Sequence, residues 1–115
     1  MEDDFSREDE PLIIIGGPEE ISVSKQGLSI IRINVEGFDF SSATKCEVQA
    51  SDDSLLRVKP KRFILTPSRL TKTILAKIPK KAIKTISKHR SEENVGIDVD
   101  CTNGAFETLE IFLIP

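Results

Sequence analysis

From Ala43 to Pro67 the chain reads ATKCEVQASDDSLLRVKPKRFILTP, two runs of alternation separated by a polar turn and stopped by a proline. Cys46, Val48 and Ala50 alternate with Lys45, Glu47 and Gln49, the period of a strand with one buried face. Ser51-Asp52-Asp53-Ser54 follows. Such short polar side chains bond the local backbone and favour a turn. Leu56 and Val58 then alternate with Arg57 and Lys59 up to Pro60, which has no N–H to give a ladder. Phe63-Ile64-Leu65 resumes the apolar run before Pro67. Two short strands broken by a proline fit an edge of an all-β domain and are awkward in the centre of a parallel sheet.

The remaining chain supplies more strands. Leu12 to Ile15 predicts a buried strand, and Gly16-Gly17-Pro18 turns it or lets it cross between sheets. Ile21 and Val23 give a short continuation, and Lys25-Gln26-Gly27 predicts a turn. Ile31, Ile33 and Val35 alternate with Arg32 and Asn34 until Gly37. Leu70, Ile74, Ala76 and Ile78 share one parity. After Pro79 the period changes: Ala82, Ile83 and Ile86 have helical spacing, and proline suits a first helical position. A short crossover helix near 79–89 is expected, with a plain loop as the alternative. Val95, Ile97, Val99 and Cys101 form the next strand, with Asp98 and Asp100 outside, and Leu109, Ile111 and Leu113 form the last.

The turn between these two strands can be argued from register. A two-residue Asn103-Gly104 turn would place Ile97 opposite Glu110 and bury a carboxylate, which is costly. A three-residue loop, Thr102 to Gly104, pairs Cys101 with Ala105, Ile97 with Leu109 and Val95 with Ile111. Apolar residues then meet on one face, and Gly104 takes the left-handed position such loops use.

About seven short strands and one short crossover helix define an all-β fold, a β-sandwich. The expected organisation is a disordered acidic tail over residues 1–11 and one sandwich domain over 12–115. The run Ile21-Ser22-Val23-Ser24-Lys25-Gln26-Gly27, then Ile31 to Gly37, then Asp53-Ser54-Leu55-Leu56-Arg57-Val58-Lys59-Pro60, resembles immunoglobulin-like modules. Bacterial Ig-like domains and the major-sperm-protein group show similar spacing. The resemblance spans most of residues 12–114 as a pattern and implies an Ig-like β-sandwich. It carries over no functional residues.

Cys46 and Cys101 both fall on inward parities, on strands that can be neighbours. Two such residues either form a disulfide or pack as small apolar groups with free thiols. With no export signal visible, free thiols are favoured. No apolar run approaches a membrane span. Leu12 to Ile15 is too short for the core of a leader and follows an acidic segment. An intracellular location is therefore expected.

No catalytic set emerges. His89, the single histidine, lies between Lys88 and Arg90 with no carboxylate beside it in sequence, and a catalytic histidine needs an orienting partner. Gly16-Gly17 lacks the lysine and glycine spacing of a phosphate loop. Asp98, Asp100 and Asn103 echo a calcium loop, but Asn103 stands where glycine is required and Leu109 where glutamate is required. Two Cys and one His are too few soft ligands for a zinc site. The expectation is no enzyme, no metal and no cofactor.

Charge is what rises above background. Residues 54–91 contain no acid and twelve of the sixteen bases, while the remaining chain holds all nineteen acids against four bases. Even mixing is the rule for a globular surface, so a basic region of this kind favours an anionic partner. The candidate binding residues are Arg57, Lys59, Lys61, Arg62, Lys77, Lys80, Lys81, Lys84, Lys88 and Arg90. The expected function is a non-catalytic protein–protein interaction module, one piece of a larger assembly, with an acidic protein as partner. The alternative is a polyanion binder, with nucleic acid ahead of an anionic membrane; no small-molecule substrate is expected. All six aromatics are Phe and only Phe63 lies in the basic stretch, which disfavours base stacking. Ordinary solvated lysines at strand edges, and the acidic tail lying on the basic region, account for the same charges.

Overall fold

The computed structural model describes residues 10–23 and 30–115. In chain order they form β1 (Leu12–Gly16), β2 (Glu20–Ser22), β3 (Ile30–Phe38), β4 (Thr44–Ala50), β5 (Arg57–Lys59), β6 (Arg62–Leu65), β7 (Thr71–Lys77), α1 (Lys80–His89), β8 (Glu93–Cys101) and β9 (Phe106–Ile114). One sheet has the order β1-β3-β7-β5 and the other β2-β9-β8-β4-β6. All neighbours are antiparallel except β2 and β9, which run parallel. The expected all-β sandwich with one short helix is the fold observed. The Lys25-Gln26-Gly27 turn lies outside the described residues, as does the acidic tail apart from Glu10 and Pro11.

Nine strands replace about seven because two strands change sheets midway. β1 and β2 are halves of one run, broken at Gly16-Gly17-Pro18. A Cβ on Gly17 would lie 3.0 Å from Leu109 Cδ2 and 3.4 Å from Ile33 Cγ1. Any larger residue there would need Leu109 and Ile33 to give by a few tenths of an ångström, so glycine suits this close crossing. β5 and β6 are likewise two halves, divided at Pro60, whose bond to Lys59 is cis. The edge position expected for these strands is observed: β5 is one edge of the first sheet and β6 one edge of the second.

The core follows from parity. Ile33, Val35 and Ile74 from the four-stranded sheet and Val95, Ile97, Val99, Ile111 and Leu113 from the five-stranded sheet are fully buried. Each such side chain contributes about 1.5–3 kcal/mol on burial. Leu12 to Ile15 is a correction: Ile13 and Ile15 are buried, but Leu12 and Ile14 are exposed. β1 is an edge strand with one face to solvent, so alternation sends every second residue outward whatever its polarity.

The helix runs one residue later than the proline rule suggested. Pro79 is the N-cap with ψ 147°, extended backbone, and its carbonyl accepts the N–H groups of Ala82 at 3.0 Å and Ile83 at 3.1 Å. Ala82 and Ile86 are buried, which docks the helix, while Lys80, Lys81, Lys84 and Lys88 are exposed.

The three-residue turn forms as argued. Ile97 pairs with Leu109 and Val95 with Ile111, the Cys101 N–H donates to the Ala105 carbonyl at 2.9 Å, and Gly104 has φ +95°.

The expectation of free thiols is overturned: Cys46 and Cys101 form a disulfide. They are direct register partners in β4 and β8, and the Thr102 N–H donates to the Lys45 carbonyl beside them at 2.9 Å. That makes theirs a non-hydrogen-bonded pair, the place in an antiparallel ladder where opposed side chains approach closest; the Cα atoms are 4.0 Å apart. Parity put both sulfurs in the core, and register made them meet.

Gly104→Ala forces a Cβ into positive φ and lowers stability by about 1 kcal/mol, read from denaturant midpoints. Replacing Cys46 and Cys101 by alanine opens a link spanning 55 residues and lowers stability by up to about 4 kcal/mol on chain-entropy grounds. Mass spectrometry after alkylation in denaturant should find both thiols blocked without reductant; two alkylated cysteines would refute the bond.

Candidate functional site

Alternation that buries Val58, Ala76, Ile74, Ile31 and Ile33 sends their neighbours to the outer face of the four-stranded sheet. Register then sets these in rows. Ile30, Lys77 and Arg57 stand abreast on β3, β7 and β5; in the next row stand Arg32, Leu75 and Lys59. Four cations from three strands thus surround Leu75, 43% exposed, and Ile30, 55% exposed. Arg57 directly faces Lys77, and like charges in that position are unfavourable. Among the described residues none of the four has an ion pair.

The ten candidate bases divide among three places. Arg57, Lys59 and Lys77 share the sheet face just described. Lys61 and Arg62 follow Pro60 at the edge, where Arg62 meets Glu47 at 3.3 Å. Both side chains of that pair are largely exposed, so it contributes little. Lys80, Lys81, Lys84, Lys88 and Arg90 are exposed on and after the helix, on a separate element. Arg32 comes from the acidic part of the sequence and was missed. Its outward position between Ile31 and Ile33 was legible, but not the β3–β7 register that sets it beside Leu75.

The outer face of the five-stranded sheet is acidic. Asp100 stands between Glu47 and Phe106, and Asp98 between Gln49 and Thr108. Asp98 Oδ1 accepts the Thr108 hydroxyl at 2.7 Å, and Glu110 Oε2 accepts the Asn94 amide at 2.8 Å. Asn103 Oδ1 accepts the Ala105 N–H at 3.0 Å, within its own turn. Among the described residues no three Asp, Glu, His or Cys side chains gather as metal ligands. His89 is exposed at the last position of α1.

The basic and acidic faces meet along the side where the β5–β6 strand changes sheets. An open groove of about 1190 Å³ runs there, with Lys59, Leu75 and Lys77 on one flank and Glu47, Asp98 and Asp100 on the other. The 51–54 turn closes one part of it. Asp52 Oδ1 accepts both the N–H and the hydroxyl of Ser54, and the Asp52 carbonyl accepts the Leu55 and Leu56 N–H groups, each at 3.1 Å. The Ser54 hydroxyl first, and its N–H second, hold the Asp52 carboxyl below the ordinary aspartate range.

Strand order and sheet switching define an Ig-like β-sandwich. No family profile matches the chain, and no curated protein matches its sequence. Solved structures do match in fold. The periplasmic chaperone SfaE aligns with 90% of this chain and 56% of its own, at 11% identity and TM-score 0.66. The YadV chaperone aligns with 90% and 51%, at 13% identity and TM-score 0.60. SSP-19, an MSP-domain-like protein of Caenorhabditis elegans, aligns with 84% and 92%, at 8% identity and TM-score 0.53. The chain spans about half the length of the two chaperones. The Ig-like and major-sperm-protein resemblance is thus one of fold. The Cys46–Cys101 bond lies within one sheet, unlike the inter-sheet bridge of antibody domains. Among the described residues no helix is long and apolar enough to cross a membrane.

The Asp52 geometry makes a pH prediction. A carboxyl whose folded pKa is depressed adds stability that is complete above its unfolded value and is lost as the pH falls through the folded value. In an NMR titration Ser54→Ala should raise the Asp52 midpoint; an unchanged midpoint would remove the Ser54 hydroxyl as the leading cause.

Proposed function

We propose that the chain is a non-catalytic protein-interaction module, one piece of a larger assembly. It binds an acidic partner on the outer face of the four-stranded sheet, around Arg32, Arg57, Lys59 and Lys77. The observation that carries this reading is a set of four cations on neighbouring strands with no ion pair among the described residues. Their arrangement around Leu75 and Ile30 favours a protein over a bare polyanion, because half-exposed aliphatic groups gain from dehydration against an apolar surface. An Ig-like sandwich hosts many functions, so the fold supports an interaction role only in general terms.

The polyanion alternative draws on the helix, where Lys80, Lys81, Lys84 and Lys88 are exposed without an acid in the first turn. Phosphates suit such point charges, and their binding falls steeply with salt. The acidic segment of residues 1–9, which precedes the described chain, would compete for either kind of ligand.

An NMR titration separates the two. The probes are a synthetic peptide of alternating glutamate and leucine and a short DNA duplex, at low and high salt, with the full chain and with a variant lacking residues 1–9. The peptide should shift resonances of Arg32, Arg57, Lys59, Leu75 and Lys77. Lys59→Glu with Lys77→Glu should weaken it by about tenfold or more, and removal of residues 1–9 should strengthen it. Shifts confined to α1 with DNA, lost at high salt, would replace the protein-partner reading with the polyanion one.

A further inference from the structure

The outer faces of the two sheets carry opposite charge. The four-stranded sheet presents Arg32, Arg57, Lys59 and Lys77 against Glu36 alone. The five-stranded sheet presents Glu20, Glu47, Asp98, Asp100 and Glu110 against Lys45 and Arg62. These faces border one open groove, and each brings exposed apolar surface: Leu75 and Ile30 on the basic side, Phe106, 57% exposed, on the acidic side. Within the chain this charge is left largely uncompensated. Among the described residues no ion pair joins the two faces; the exposed Arg62–Glu47 pair lies within the acidic one.

A surface with a positive and a negative flank on either side of one groove is complementary to itself. A half-turn about an axis through the groove lays the basic flank of one copy on the acidic flank of a second, and the same operation lays the acidic flank of the first on the basic flank of the second. This is the condition for an isologous contact, in which each residue set meets its complement twice.

We infer that the partner of this surface is a second copy of the same chain, docked groove to groove about a twofold axis. Arg57, Lys59 and Lys77 of each copy face Glu47, Asp98 and Asp100 of the other, and Phe106 meets Leu75 and Ile30. The inference rests on the proposed function and names the partner. The contact is led by charge at exposed positions, so it is salt-sensitive, and a patch of this few residues lies at the weak end of specific interfaces. Opposed rows of like charge, Arg57 with Lys77 and Asp100 with Glu47, are relieved on both sheets when the copies meet.

Sedimentation velocity of the full chain, over a concentration series at low and high salt, tests this. A monomer–dimer equilibrium is expected that shifts toward monomer as salt rises. The variant Arg57→Glu, Lys59→Glu, Lys77→Glu should be monomeric alone, as should Glu47→Lys, Asp98→Lys, Asp100→Lys. Mixing the two should restore a dimer, because each then presents one sign of charge to the other. Asp98 also holds Thr108, so if the acidic-side variant does not fold, Asp100→Asn with Lys59→Gln in the otherwise unchanged chain should weaken association by about tenfold. A chain that is monomeric at low salt throughout overturns the inference, as does self-association indifferent to both salt and these changes, or growth beyond dimers. If the chain is monomeric yet the glutamate–leucine peptide shifts Arg57, Lys59 and Lys77, the protein-docking reading stands and only the self-pairing falls. If the peptide also leaves them unmoved, both fall.

Discussion

Closure of Ile33, Val35 and Ile74 against Val95, Ile97, Val99 and Ile111 is the interaction on which this sandwich depends. These positions are fully buried and almost wholly aliphatic. The chain has no Trp or Tyr, and Phe40 and Phe63 are the aromatics of the buried set. A core of this kind gains its energy from many small side chains and little from any one of them. It therefore relies on keeping both sheets in register over their length. The two strands that change sheets, and the disulfide within the five-stranded sheet, supply that constraint.

The same closure determines the electrostatics. Because inward positions along the strand centres are aliphatic, charges take outward positions, strand ends, turns or the helix. The blocks of charge along the sequence are then sorted by sheet order. β5 and β7 carry basic residues to one face; β8 and β9 carry acids to the other. β6 breaks the pattern, since Pro60 sends Arg62 to the acidic sheet, where it pairs with Glu47. The contiguous basic stretch of the sequence thus becomes a sheet face, an edge and a helix, of which only the first gains a fourth cation, Arg32. The groove between the faces owes its place to the Pro60 break, because a strand that leaves one sheet for the other cannot fill the outer rows of both. The functional reading turns on that topology more than on net charge, which is only −3 for the chain.

The legibility of these features differed by range. Period-two alternation fixed which residues of β3, β4, β7 and β8 faced inward, because it is a property of each strand alone. The Thr102–Gly104 loop was also legible, since a short hairpin ties two parities together through a handful of bonds. The breaks at Gly16-Gly17-Pro18 and Pro60 announced themselves by residue type. What the sequence left open were pairings between strands far apart in the chain. The Cys46–Cys101 bond needed the β4–β8 register, the inclusion of Arg32 needed the β3–β7 register, and the exposure of Leu12 and Ile14 needed β1 to stand at an edge.

By itself, then, the sequence determined an all-β sandwich, the inward residues of its amphipathic strands, one tight turn and a separation of charge, and left the helix with a loop as its alternative. Only the tertiary structure decided which strands lie side by side, and so which thiols bond, which cations cluster and where opposite charges face one groove. The physical reason is that parity is set by bonds between adjacent residues. The register between distant strands is set by how the whole core packs, once the loops between them have closed.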